Sequence, residues 1–341
     1  MNIKITFVGR EIAPMPEPLI DTNTSELYRS SSTSMAKDHN PWKLMIVTLT
    51  VVMIGFQFIG SFFGLLVALP FYDGSIMDFV QDLQNPAGNP DMRVPLLIMQ
   101  GTASITGFLL MPWVLMKFYF RSSLNAFPRS QLVPGAIFAT ILIVPVFMGV
   151  NAPFIEWNQN FVFPEFLSGL ESKLKAMEVM LQETSVFITS FDSIGQLLLG
   201  LVVVAVIPGI GEELVFRGLI QNNLLRITNN IHVAIWLAAL LFSLFHLQFY
   251  GLVPRMLLGA LFGYLYYFSG SLLYPMIAHF INNGFTLVMF YLYNIGMISF
   301  DIESTESLPW TQTLISAVVT VILFLAFKQS FNQTSFNEKL G

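Results

Sequence analysis

The sequence predicts an all-α fold, a polytopic membrane helical bundle of about eight transmembrane helices. Three observations carry this. Hydrophobic residues make up 54% of the chain and charged residues 11%, against about 25% charged in soluble domains. The uncharged residues gather into runs long enough to cross a bilayer, at about 20 residues per helix. The connections between the runs alternate in their Lys and Arg content, as a chain crossing back and forth requires.

Residues 1–42 read as a disordered cytoplasmic tail. They are polar and mixed in charge, hold a Ser/Thr run from Ser30 to Ser34, and lack the apolar core of a signal peptide. Met35 is a second candidate start. Residues 43–328 read as one membrane-embedded domain, within which 44–72, 94–116, 130–155, 193–211, 227–254, 256–300 and 307–327 contain no Asp, Glu, Lys or Arg. The 256–300 run has room for two spans, and Ser269-Gly270-Ser271 with Pro275 supplies the break. Residues 329–341 read as a cytoplasmic tail.

Orientation follows from the connections. Lys117, Arg121 and Arg129 mark one side, together with Arg226, Lys328 and Lys339, whereas 70–93 holds Asp73, Asp78, Asp82 and Asp91 against Arg93 alone. Counting Lys and Arg places both termini in the cytoplasm of a multi-pass cell-membrane protein, with 151–192 and 294–309 outside. Within the external 164–184 segment, Leu167, Leu170, Leu174, Met177 and Leu181 form one apolar stripe at helical spacing. This predicts an amphipathic helix lying on the bundle or the membrane. A substrate-gating lid is the sharper reading.

A net charge of -5 gives no sign of a nucleic-acid partner, and the absence of cysteine excludes disulfides. The partner expected from composition is the lipid bilayer.

Chemistry gathers in the C-terminal half. The fourth span ends in Pro208-Gly-Ile-Gly-Glu-Glu-Leu-Val-Phe-Arg-Gly218. A charge at the centre of a membrane helix costs about 2.5–3.5 kcal/mol and normally faces a partner inside the bundle. Arg217 lies four residues after Glu213, so the two pair on one face. Glu212 is rotated about 100° from that face and needs another explanation. His246 ends the fifth span, and His279 and Asn283 sit one turn apart on the seventh. Helical rise puts Glu212 and His246 at about 21 and 22 Å from the inner end, within reach of each other. His279 comes to only about 10 Å unless the 269–271 turn lies deep.

In this order, Glu212-Glu213-x-x-x-Arg217, Phe242-x-x-x-His246 and His279-x-x-x-Asn283 resemble the three motifs of the CPBP family. That family groups type-II CAAX prenyl proteases with bacteriocin-processing and immunity (Abi) proteins. The similarity covers about 195–290, and Gly259-x-x-x-Gly263 through Gly270-Ser271 fits it. The resemblance implies an intramembrane endopeptidase acting on a peptide or membrane-protein substrate, in which Glu212 and His246 activate water and His279 and Asn283 stabilise the oxyanion. Glu213 and Arg217 would be a supporting pair. No cofactor is favoured. The alternative chemistry is a zinc site built from Glu212, His246 and His279. A non-proteolytic immunity protein using the same polar cluster is the second function class. A transporter would show related halves, and the first three spans carry no counterpart of the Glu-Glu motif. The cavity is expected to open to the cytoplasm, past Arg217, Gln221, Asn222 and Asn223, with substrates entering from that side or laterally from the membrane.

Overall fold

The structure, a computed structural model, describes residues 40–121, 132–299 and 308–338, with side chains to residue 331. The expected N-terminal tail, most of the basic 117–129 connection and the acidic residues of 294–309 therefore lie outside the described residues. No strand occurs among those described.

Apart from isolated 3-10 turns, ten helices follow one another among the described residues: α1 (Pro41–Phe71), the short α2 (Ile76–Asp82), α3 (Pro90–Tyr119), α4 (Pro134–Gln159), α5 (Ser168–Thr189), α6 (Ile194–Thr228), α7 (Ile231–Phe245), α8 (Leu252–Ser269), α9 (Leu273–Asn294) and α10 (Trp310–Glu338). Five of them are long and apolar enough to cross a membrane: α1, α3, α4, α6 and the Trp310–Phe331 part of α10. Helix α7 is as apolar but shorter. Helices α8 and α9 take the place expected of spans six and seven, and Arg255 near the start of α8 and His279 within α9 interrupt their apolar surface. Helix α10 runs past Lys328 to Glu338, where a tail was expected.

Local chemistry sets the boundaries. Asn40 caps α1 by accepting from the Trp42 and Lys43 amides, with Pro41 in the first turn. Asn230 accepts from His232 and Val233 at the start of α7, so α6 and α7 meet across a turn at Asn229, whose φ is 50°. Helix α8 ends on Gly270 at φ 66°, a left-handed conformation that a residue without Cβ adopts freely. The Ser271 hydroxyl then accepts from Leu273 N to open α9. Ser269 and Ser271 are buried, so this turn is tucked into the protein. That raises the whole of α9 and brings His279 level with Glu212.

Helix α1 packs along α3, α7 along α8, and α4 along α10, while α6 runs against α9. Small residues set the closest approaches. A Cβ on Gly211 would lie 2.6 Å from Phe108 Cβ, so α6 and α3 meet almost backbone to backbone beside Glu212. Gly259 and Gly263 do the same for α8, where added Cβ atoms would meet Ala239, Phe242 and Ile235 of α7 and Arg217 and Gln221 of α6.

Helix α5 is the amphipathic segment expected from the sequence, extended to Thr189. None of its residues is fully buried. Lys175 and Glu171 pair one turn apart at 2.7 Å on its polar side, and the Lys175 ammonium holds the Glu171 carboxyl below the usual carboxylate range. Its apolar side does not lie on a featureless surface: Met177, Met180 and Leu181 cover a cavity between the helices.

Candidate active site

Helix α6 supplies the carboxylates. Glu213 is fully buried and Arg217 is 1% exposed, and Arg217 Nη1 donates to Glu213 Oε1 at 2.8 Å. The guanidinium also donates from Nη2 to the Gly259 carbonyl at 2.7 Å and lies over the Phe242 and Phe262 rings. Gly259 is what lets it reach that carbonyl, because a Cβ there would stand 3.2 Å from Nη2. The pair is thus enclosed on all sides, where removing one partner strands a charge.

Glu212 faces the other way, into the cavity of about 670 Å³. His246, His279 and Asn283 line the same space, so the structure brings together all four residues expected to form the site. His246 Nδ1 lies 2.9 Å from the Phe242 carbonyl. A carbonyl only accepts, so Nδ1 holds the proton, leaving the Nε2 lone pair for a cavity ligand. The spacing of four sets the ring beside the carbonyl one helical turn earlier.

His279 sits between the glutamates. Its Nδ1 donates to Glu213 Oε1 at 2.8 Å, and its Nε2 lies 3.9 Å from Glu212 Oε2. Glu213 therefore holds a helical cation and orients an imidazole on another helix, a duty that pairing with Arg217 alone does not reveal. Phe242 and Phe262 pack the ring from two sides.

Asn283 has a structural bond. Pro208 has no N–H to donate to the carbonyl of Val204 four residues before it, and Asn283 Nδ2 donates to that carbonyl at 2.8 Å. Asn282 Nδ2 in turn donates to Asn283 Oδ1 at 3.0 Å. The proline thus creates the acceptor that docks α9 on α6. One N–H of Asn283 remains for the cavity.

Lining residues that escaped sequence reasoning include Gln100, Asn282, Arg255 and the α5 methionine Met180. Arg255 had a visible signal, being the single charged residue between Arg226 and Asp301. The proposed inner path fails. Gln221, Asn222 and Asn223 are buried and none lines the cavity. Asn222 Nδ2 donates to the Gly218 carbonyl and Tyr266 hydroxyl, and Asn223 Nδ2 to the Leu219 carbonyl. These amides satisfy the bundle's own backbone, and the cavity lies instead toward the side carrying α5.

Among the described residues no three His, Asp or Glu side chains group closely enough to hold an ion. The Nδ1 atoms of both cavity histidines are engaged by protein oxygens, which leaves the two Nε2 atoms for the cavity.

Residues 194–285 match a protein-family model described as type II CAAX prenyl endopeptidase Rce1-like. The segment spans α6 to the middle of α9 and contains every residue of the three motifs, consistent with a CPBP family intramembrane protease. No curated protein matches the chain, and no solved structure does.

Proposed function

We propose that this chain is an intramembrane endopeptidase that hydrolyses a peptide bond with a water activated by Glu212 and His246. The observation that supports this best is the convergence on one cavity of a carboxylate, two oriented imidazoles and a carboxamide, all inside the segment similar to endopeptidases. Hydrolysis needs a base for the water and donors for the charge that develops on the carbonyl oxygen.

In this reading Glu212 takes a proton from water as its oxygen attacks the carbonyl carbon, and His246 Nε2 accepts the water's second hydrogen as a hydrogen bond. The carbonyl electron pair moves to oxygen, where His279 in its doubly protonated form donates from Nε2 and Asn283 donates its remaining N–H. Glu212 then returns the proton to the amide nitrogen as the C–N bond breaks. Glu213 keeps His279 in register throughout.

Topologically, α1, α3, α4, α6, α7, α8, α9 and α10 would be the eight spans, with both termini cytoplasmic and α5 outside. The deciding experiment is digestion of a peptide library by purified protein in detergent, wild type against Glu212→Gln. Cleavage by the wild type alone is expected. Equal product from both proteins would remove Glu212 from the chemistry, and none from either would favour an immunity protein that only binds.

A further inference from the structure

We propose that Arg255 anchors a carboxylate of the substrate, which makes it a specificity-determining residue of the cavity. This rests on the peptidase reading above and adds to it the charge of what enters.

Arg255 is a cavity cation that no carboxylate among the described residues touches directly. Arg255 is the one Lys or Arg lining the cavity and Glu212 the one Asp or Glu. Arg217, the other cation nearby, is held by Glu213. Arg255 has no such partner: among the described residues no carboxylate oxygen lies within 4.0 Å of it. Its Nη2 donates to Gln248 Oε1 at 2.8 Å, whereas Nη1 is shut off from solvent and has no hydrogen-bond partner. An enclosed guanidinium is costly unless an anion meets it, and its planar fork is shaped for a carboxylate.

The surroundings hold this cation in place without neutralising it. Glu178 of α5 is the acid that approaches from outside, but its two oxygens accept from Gln248 Nε2 at 3.2 Å and Tyr250 N at 3.3 Å. It makes no hydrogen bond to Arg255: Gln248 stands between them, and Glu178 and Glu212 act on the guanidinium only as charges at longer range. Gly251 provides the seat, since a Cβ there would stand 3.0 Å from Nη2 and 3.3 Å from Nη1. The remaining lining is mostly apolar, with Leu258 one turn further along α8 and Met177 and Leu181 above. A substrate that is apolar along its length and carries one carboxylate matches these walls.

The carboxylate has two sources, the C-terminus of a chain or an Asp or Glu side chain. The test uses a fluorescent pool of apolar hexapeptides in detergent, prepared as free acids and as C-terminal amides, and a second amidated pool with one internal Asp or Asn. We expect wild-type kcat/KM to favour free acid over amide, or Asp over Asn, at least tenfold, mainly through KM. Arg255→Gln should erase that preference, and Arg255→Lys, which keeps the charge without the fork, should restore part of it. A preference for the free acid identifies the chain terminus, and one for Asp a side chain. Absence of either preference in the wild type overturns the proposal, as does a preference that survives in Arg255→Gln. If no pool is cleaved, the peptidase reading fails separately. Fluorescence anisotropy of the same pools then decides Arg255, with equal binding of acid and neutral forms counting against it.

Discussion

His279 Nδ1 donates to Glu213 Oε1 at 2.8 Å, and the same oxygen accepts from Arg217 Nη1 at 2.8 Å. One buried carboxylate oxygen therefore ties α9 to the charged face of α6, while Glu213 Oε2 has no partner. The adjacent glutamates divide their work: Glu212 faces the cavity, and Glu213 positions the imidazole that faces it too.

That division predicts opposite signatures for two mild substitutions. Glu212→Gln should abolish turnover and leave the melting temperature in detergent within a degree or two of the wild type. Glu213→Gln should lower both activity and stability. Breaking a buried pair from one side costs about 3–5 kcal/mol because the other charge is stranded. A Glu213→Gln protein as stable as the wild type would show that the oxygen shared by Arg217 and His279 carries little energy.

The Gly211–Phe108 approach yields a steric prediction. A methyl at Gly211 would meet Phe108 Cβ at 2.6 Å and its backbone at 3.3 Å, and backbone on a packed helix gives little. Gly211→Ala should cost about 1–3 kcal/mol, the usual range for overpacking. It should also reduce activity by displacing the neighbouring Glu212, whereas Gly169→Ala, with open space around it, should change neither. Thermal unfolding and turnover of the two variants compare them directly.

Much of this was legible in the sequence because helical spacing is local. The Glu213–Arg217 pair follows from residues one turn apart, and the gathering of Glu212, His246, His279 and Asn283 from three motifs in order. What stayed hidden depends on contacts distant along the chain. Glu178 meets Gln248 and Tyr250 across a gap that no periodicity spans, so the stripe on α5 showed an apolar side but not what it covers. The polar run Gln221 to Asn223 looked like a wet path because sequence cannot distinguish an amide facing water from one facing the Gly218 or Leu219 carbonyl. Arg255 was readable as a lone charge in a long neutral stretch, but its neighbours were not.

Metal removal gives a clean contrast between the two chemistries the motifs allow. With Glu212 as base, exhaustive chelation should leave turnover unchanged and elemental analysis should find no stoichiometric metal. Zinc at one equivalent, lost together with activity in His246→Ala, would require Glu212, His246 and His279 to regroup as ligands and would replace the proposed mechanism.

The entry route can be read with single cysteines, which report cleanly because the chain has none. The cavity is walled by Gln100 of α3 and Asn282 of α9 and covered by Met177, Met180 and Leu181 of α5. Nothing from the Gln221–Asn223 stretch reaches it. Polar groups inside a membrane protein persist where they line a cavity or bond to the bundle, and here the two cases separate along α6. Gln100→Cys and Asn282→Cys should therefore react with a charged thiol reagent from the side on which Lys173→Cys, exposed on α5, also reacts. Gln221→Cys should resist the reagent from both sides, since its position is fully buried. Comparing inverted with right-side-out vesicles identifies that side without assuming an orientation. Removing the tie between α5 and the 246–251 connection by Glu178→Ala should speed labelling at both cavity positions, because α5 then lifts more readily from Gln248 and Tyr250. Labelling of Gln221→Cys from the opposite side, with Gln100→Cys silent, would return the opening to the inner end of α6 and make α5 a fixed cover.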